Sequence, residues 1–294
     1  MDLKTPFRFV RAITSRSGRR RYYEAYRNHL WNYMCGVSLD EPVYGKLRGN
    51  LRMRLNLRDS DISKAVFVTG VFESAELDYI CRTVGPGATV VDVGANIGTH
   101  TLTLANCIGR SGGGVHSFDP SEAFDILTEN IHLNHFQDRV TLNRCAVGEK
   151  DGTLQLAKVV AGCEGYISRG TPSLKSFTTA GYFEVPMVTL DSYAASHNLH
   201  QIDFLKVDIE GGEPFVLAGA QDLLKGRAIR NVMFEVNERC LSSLGFNGSD
   251  LVQQLRASGF DLFLLGKDGR SEICPDHPRG KWITVVGSVC AHKP

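Results

Sequence analysis

Two short clusters in this 294-residue chain combine residue types and spacings suited to chemistry. The first is Val90-Val91-Asp92-Val93-Gly94-Ala95-Asn96-Ile97-Gly98-Thr99. A β-branched run ends on an acid, two glycines follow four residues apart, and a helical pattern begins. Glycine removes the Cβ that would hold a ligand away, so such a loop lets backbone N–H groups and a helix N-terminus approach a bound molecule. The spacing is not the G-x-G-x-x-G of nicotinamide-dependent dehydrogenases, and no Gly-Lys-Ser/Thr follows as in a P-loop. About twenty residues beyond Gly98, Asp119 ends the next strand in His116-Ser117-Phe118-Asp119-Pro120, where an acid can accept both hydroxyls of a ribose. Loop and acid together predict a ligand with an adenosine-like ribose.

The second cluster is Asp208-Ile209-Glu210, directly after the apolar run Phe204–Val207. Two acids straddling Ile209 at a strand end are candidates for a general base or for substrate binding. Glu210 is equally placed to stabilise the N-terminus of the following helix. His100, on the first turn after the glycine loop, is a third candidate base. Lys206 is expected to point to the other side of its strand or to orient an acid. Asp208, Glu235 and Asn237 end two consecutive strands, where three oxygen ligands could hold a Mg²⁺.

These residues need elements to carry them. After the stop at Gly85-Pro86-Gly87, strands alternate with helices: strands at 89–93, 115–118, 140–144, 153–158, 183–190, 204–207 and 231–236, and helices following the glycine loop and at 121–135, 213–224 and 249–257. Closing strands near 262–265 and 282–289 suit an antiparallel edge. The alternation predicts a mainly parallel sheet flanked by helices. Residues 162–181, rich in Gly, Ser and Thr, read as a binding loop or a surface excursion. Ahead of this region, residues 7–31 mix aromatics with arginines as amphipathic helix, and 47–57 alternate around Gly49-Asn50 as a β-hairpin. Residues 73–84 read as a helix with Glu73 at its start.

Composition excludes several classes. With 43% hydrophobic and 22% charged residues the chain is neither disordered, collagenous nor coiled coil. No apolar run approaches the ~18 residues of a membrane-spanning helix. The eight cysteines are scattered without a C-x-x-C pair, which argues against a zinc knuckle or a disulfide framework and for a reduced, cytoplasmic setting. The total charge of +1 hides a division: residues 1–30 hold eight Lys or Arg against two acids, a net +6, which leaves −5 on the rest. Such an arm could meet an anionic surface or pack on the fold with its arginines in water.

The ordered set of motifs resembles the FkbM-type methyltransferases. The D-x-G-x-N-x-G loop, Phe118-Asp119-Pro120, Asn130 with Leu133-Asn134, Thr189-Leu190-Asp191, Asp203-Phe204-Leu205-Lys206-Val207-Asp208-Ile209-Glu210-Gly211, Val216-Leu217-x-Gly219-Ala220 and Phe234-Glu235-Val236-Asn237 occur in that family's order. The family more often has Glu where Asp119 stands, and residues 1–40 lie outside its pattern. The resemblance implies an α/β chain: a seven-stranded Rossmann-like class I methyltransferase fold over 61–294, with an N-terminal helical and hairpin extension over 1–60. It implies S-adenosylmethionine as cofactor. Asp92, Gly94, Asn96 and Gly98 would line its methionine part, Asp119 would hold the ribose, Ala146 would lie near the adenine, and Glu73 would add a further contact. The implied activity is O-methylation of a hydroxyl on a small molecule, sugar or glycan. N-methylation of an amine or amide, or cofactor binding without catalysis, are the alternatives.

Overall fold

The computed structural model describes residues 16–36, 42–57, 61–159, 167–169, 179–267, 269, 271–278 and 283–289. The chain divides into two compact units, residues 1–72 and 73–294. The expected boundary at 60/61 falls inside the first unit.

In the first unit the described part of the amphipathic segment is one helix, α1 (Arg16–Gly36); residues 7–15 of that expectation lie outside the described residues. The hairpin forms as its alternation predicts: β1 (Val43–Leu47) pairs antiparallel with β2 (Leu51–Leu55) around a turn at Arg48–Asn50. Leu51, Met53 and Leu55 point inward while Arg52 stays exposed, which is the period-two pattern of a half-buried strand. A helix α2 (Ile62–Thr69) closes the unit and is stopped by Gly70 in the left-handed conformation. Trp31 of α1 is buried against Phe67 of α2, with ring centroids 5.4 Å apart.

The second unit opens with α3 (Ser74–Thr83), β3 (Thr89–Val93), α4 (Thr99–Ile108), β4 (Gly114–Phe118), α5 (Ala123–Leu133) and β5 (Val140–Asn143). Next come β6 (Ala146–Val147), β7 (Gly152–Val159), β8 (Ile167–Arg169), β9 (Thr179–Val188) and α6 (Leu190–Ser196). The chain then returns as β10 (Phe204–Val207), α7 (Glu213–Ala218), α8 (Gln221–Lys225), β11 (Asn231–Val236), α9 (Glu238–Ser243) and α10 (Gly248–Ala257). It ends as β12 (Phe260–Leu265), β13 (Ser271–Ile273) and β14 (Ile283–Val289).

The main sheet runs β13-β12-β14-β11-β10-β3-β4-β5. Strands β5, β4, β3, β10 and β11 are parallel, and β14 inserts antiparallel between β11 and β12. The sheet has the seven strands that the family resemblance implies, and the three-residue β13 adds an eighth at the edge. Every residue of β10, and all of β3 after Thr89, is buried, as a parallel strand covered on both faces must be. From β3 the chain steps outward to β4 and β5, then crosses back to β10 on the other side of β3. The C-terminal ends of β3 and β10 therefore flank the switch in strand order, the place where open α/β sheets form their binding crevice.

Two departures from the expected elements have physical causes. The residues expected as further strands of the same sheet (153–158 and 183–190) instead build a separate four-stranded sheet, β6-β9-β7-β8. It has its own small apolar cluster of Ala146, Leu156, Val185 and Met187. The helix expected over 213–224 is broken into α7 and α8 at Gly219, where a side chain would collide with the carbonyl oxygen of Gly148. Asp191 bridges the break by accepting from the Asp222 and Leu223 N–H groups that open α8.

Candidate functional site

The glycine loop leaves β3 through Gly94 (φ 82°), Asn96 (φ 50°) and Gly98 (φ 97°), all left-handed. Its internal hydrogen bonds are nearly complete. Gly94 and Ala95 N–H both donate to Phe118 O at 3.0 Å, Gly98 N–H donates to Ala95 O, and Ile97 N–H donates to Asn96 Oδ1. The buried Asn130 holds the loop from below, donating to Ile97 O at 2.8 Å. The expectation that the loop's own N–H groups face a ligand is thus corrected: they are spent within the loop and on the end of β4. What stays available is the first turn of α4. Its N-cap is Gly98, without a side-chain cap, and Leu102 N–H is the first to bond back, to Gly98 O. The preceding N–H groups have no intrahelical acceptor and present positive potential to an anionic group.

Gly94 serves a different approach. A Cβ there would collide with the carbonyl oxygen of Asp208 and crowd Ile209. The glycine thus lets the end of β10 lie against the loop after β3 and brings the two chemically active segments into contact.

Asp119 sits at the end of β4. Its Oδ2 accepts from Asn96 N–H at 2.8 Å, and its Oδ1 accepts from Ser121 N–H and the Ser121 hydroxyl. Burial raises its pKa, and these bonds oppose the rise. A carboxylate offers about four acceptor positions, and these bonds use three of them. Asp92 is fully enclosed rather than lining a surface: Thr101 donates to its Oδ2 at 2.6 Å, and its Oδ1 lies 3.3 Å from Lys206 Nζ. Ala146 opens strand β6 and belongs to the second sheet's apolar cluster.

Lys206 is the hub. It is 3% exposed, donates to Gly94 O at 3.0 Å, and lies 3.3 Å from Asp92 and 3.4 Å from Asp208. Burial alone would strip its proton, but Asp92 and Asp208 reverse that, and its pKa is raised. The expectation that it might orient an acid holds for two acids at once.

Around Asp208 the structure gathers a pocket lined by Glu73, Glu76, His100, Lys206, Val207, Asp208, Met233, Glu235 and Thr284. Burial works to raise Asp208, yet the Lys206 ammonium holds it below the usual carboxylate range. Burial and the Asp208 charge push Glu235 up to about 11, so it keeps its proton at neutral pH and hydrogen-bonds Asp208. Burial, then Asp208, push Glu73 up to about 8. Glu73 is not a helix-dipole partner within α3. It takes a left-handed conformation (φ 49°) ahead of the helix and brings Oε2 to 3.4 Å from His100 Nε2. His100 is buried, with its pKa lowered to about 4 by desolvation and Lys206, so its ring is neutral.

Glu210 lies beside this pocket, in a left-handed conformation (φ 55°), and burial then Asp208 raise it to about 7. Its Oε2 accepts from Asn237 Nδ2 at 3.0 Å and from the Cys240 thiol. Asn237 Oδ1 meanwhile caps α9 by accepting from Cys240 N–H. Asn237 is thus turned to Glu210 and α9, and among the described residues no group of three His, Cys, Asp or Glu has the geometry to hold a metal.

Sequence reasoning missed Glu213. It is buried at the start of α7, its Oε1 accepts from Ile209 and Gly211 N–H, and burial raises it to about 8. The signal was Gly211-Gly212-Glu213-Pro214, an acid at a helix start behind two glycines, which can fold back on its own loop.

The chain is similar to known proteins. The methyltransferase FkbM domain matches residues 92–262. The 31-O-demethyl-FK506 methyltransferase FkbM of Streptomyces tacrolimicus is 29% identical over 202 residues, 60% of this chain and 74% of that protein. Methyltransferase 1 of Beauveria bassiana is 27% identical over 160 residues, 48% of this chain and 63% of that protein. A crystal structure of methyltransferase FkbM from Methylobacillus flagellatus KT aligns at 17% identity with a TM-score of 0.42, covering 79% of this chain and 56% of that one. With the domain spanning more than half its length, the chain belongs to the FkbM methyltransferase family and is an S-adenosylmethionine-dependent methyltransferase.

Proposed function

We propose that the protein transfers the sulfonium methyl of S-adenosylmethionine to a hydroxyl of a small molecule, sugar or glycan. The observation that carries this reading is the contact of the two loops: Lys206 donates to the glycine loop at Gly94 O and pairs with Asp208 at the pocket wall. A cofactor seated on the glycine loop would then have its reactive end beside an anionic carboxylate.

The residues present suit such a cofactor. The uncapped first turn of α4 can receive its carboxylate, and Asp119 can receive one ribose hydroxyl. When bound, the cofactor supplies an already activated methyl group. The protein's part is to align the acceptor and take its proton. Asp208, unprotonated at neutral pH, accepts the hydrogen bond of the acceptor hydroxyl. The hydroxyl proton would pass to Asp208, with Glu210, whose carboxyl senses the Asp208 charge, as the second acid that could take it. Glu210, at about 7, is matched to receive a proton near neutrality. His100 presents a neutral ring to the same space. The scattered cysteines support a cytoplasmic setting for the reaction.

The experiment is transfer of an isotopically labelled methyl from S-adenosylmethionine into fractionated metabolites and glycans, with the product carbon identified by NMR. A methyl ether supports the proposal. A labelled N-methyl product would replace it with the amine reading.

A further inference from the structure

The pocket has an excess of one kind of hydrogen-bonding capacity. Four carboxyl side chains line it, Glu73, Glu76, Asp208 and Glu235, against a single cation, Lys206. That cation is committed to Gly94 O, Asp92 and Asp208. The Thr284 hydroxyl is spent on Glu76 Oε1 at 2.7 Å. Independently of the acids, His100 Nε2 is buried, faces the pocket beside Glu73 and has no hydrogen-bond partner. The free capacity is thus mainly to accept, from elements that all converge on one point: Glu73 before α3, His100 on α4, Asp208 after β10 and Glu235 on β11.

We infer that this pocket takes the protonated primary amine of the methyl acceptor, so that the acceptor carries an ammonium group close to its reacting hydroxyl. The inference rests on the methyl-transfer reading of the same site. An ammonium brings three donors and no acceptor, which complements Asp208, Glu235, Glu73 and the open His100 nitrogen. A neutral diol brings one donor per hydroxyl and no charge to offset the carboxyls, and an acidic acceptor adds charge of the wrong sign. The left-handed conformation of Glu73 is a backbone cost that holds its carboxyl over the pocket. The empty pocket meets its own crowding by keeping Glu73 and Glu235 protonated, with values of about 8 and about 11. A bound cation removes the reason for that, so binding expels protons into solvent and strengthens as pH rises, until the amine itself deprotonates.

The test uses the full chain saturated with S-adenosylhomocysteine, with NMR detection of the His100 ring and ethanolamine, ethylene glycol and glycolate as probes at equal ionic strength. Ethanolamine is expected to shift the His100 resonances saturably, with tighter binding at pH 8 than at pH 6.5. Glu235→Gln keeps a donor toward Asp208 but cannot ionise, and is expected to weaken ethanolamine by about tenfold. Ethylene glycol and glycolate are expected to leave the ring unmoved. No saturable response to ethanolamine, or an equal response to ethylene glycol, overturns the inference. So does ethanolamine binding only in the absence of S-adenosylhomocysteine, because the amine site would then belong to the cofactor's own ammonium. Calorimetry of S-adenosylhomocysteine separates the two claims. If it fails to bind, the methyl-transfer reading falls and takes this inference with it; if it binds and ethanolamine is silent, this inference alone falls.

Discussion

The carbonyl oxygen of Asp208 occupies the space in which a side chain at residue 94 would stand. The strand ends that carry the cofactor loop and the acid loop thus touch only because residue 94 is glycine at φ 82°. Gly94→Ala is expected to cost about 2–4 kcal/mol from strain and overpacking. It should also abolish measurable S-adenosylmethionine binding. Urea melts and calorimetry check the two effects, and a variant with both properties intact would remove this role for Gly94.

Lys206 holds two carboxylates in a dry place. Lys206→Met leaves Asp92 and Asp208 without their cation, and loss of one partner of a buried pair costs about 3–5 kcal/mol. Removing one stranded acid as well, in Lys206→Met/Asp92→Asn, is expected to recover at least about 1 kcal/mol relative to the single variant. Denaturant midpoints of the single and double variants read this coupling. Simple additivity would mean that the lysine packs without linking the acids.

The buried carboxyls also set a pH signature. Glu213 and Glu73 stand at about 8 and Glu235 at about 11, all above the ordinary 4.5. The folded chain therefore holds protons that the unfolded chain has lost, and their stabilisation is complete below pH 4.5 and decays as pH rises through the folded values. Each such group contributes a slope of about 1.4 kcal/mol per pH unit over its window. His100, lowered to about 4, acts oppositely, adding stability as pH rises from 4 toward 6.5. Melting temperature is thus expected to fall between pH 6 and pH 9. Glu213→Gln, which keeps an oxygen for the Ile209 and Gly211 N–H groups, should flatten part of that fall. A melting temperature that rises over this range contradicts the assignment.

For the chemical step, Glu210 at about 7 predicts a methyl-transfer rate that increases with pH through neutrality as the carboxyl loses its proton. Glu210→Gln should remove that limb. Asp208→Asn should slow single-turnover transfer by about 10²–10⁴-fold while leaving cofactor affinity within a few-fold. Unchanged rates in both variants would clear the two acids of proton handling.

Much of this could be read from residue order, and the remainder depends on contacts that no local pattern carries. The alternation of apolar runs with helical periods gave β3, β4, β5, β10 and β11 directly, since β3, β10 and β11 bury side chains on both faces. The broken helix at Gly219 and the separate sheet around Ala146 were not legible. Both depend on distant partners, the carbonyl of Gly148 in one case and Met187 of β9 in the other. Gly94 and Gly98 stood out as glycines, but their partners, Asp208 and Leu127, come from elsewhere in the chain. Lys206 was legible only as a residue that faces away or orients an acid, because one of its two acids, Asp92, lies 114 residues earlier in the chain and the other, Asp208, two residues later. Glu73 stood out only through the family pattern, since its left-handed turn toward His100 has no signature in residue type.

The central claim is that this chain binds S-adenosylmethionine on the loop after β3 and the acid after β4. Isothermal calorimetry on the full chain, with wild type and Asp119→Ala at matched melting temperatures, tests it most directly. The account predicts saturable binding to wild type, competition by S-adenosylhomocysteine, and about tenfold or greater weakening in Asp119→Ala from the lost ribose contact. No detectable heat and no competition with folded wild-type protein would contradict it.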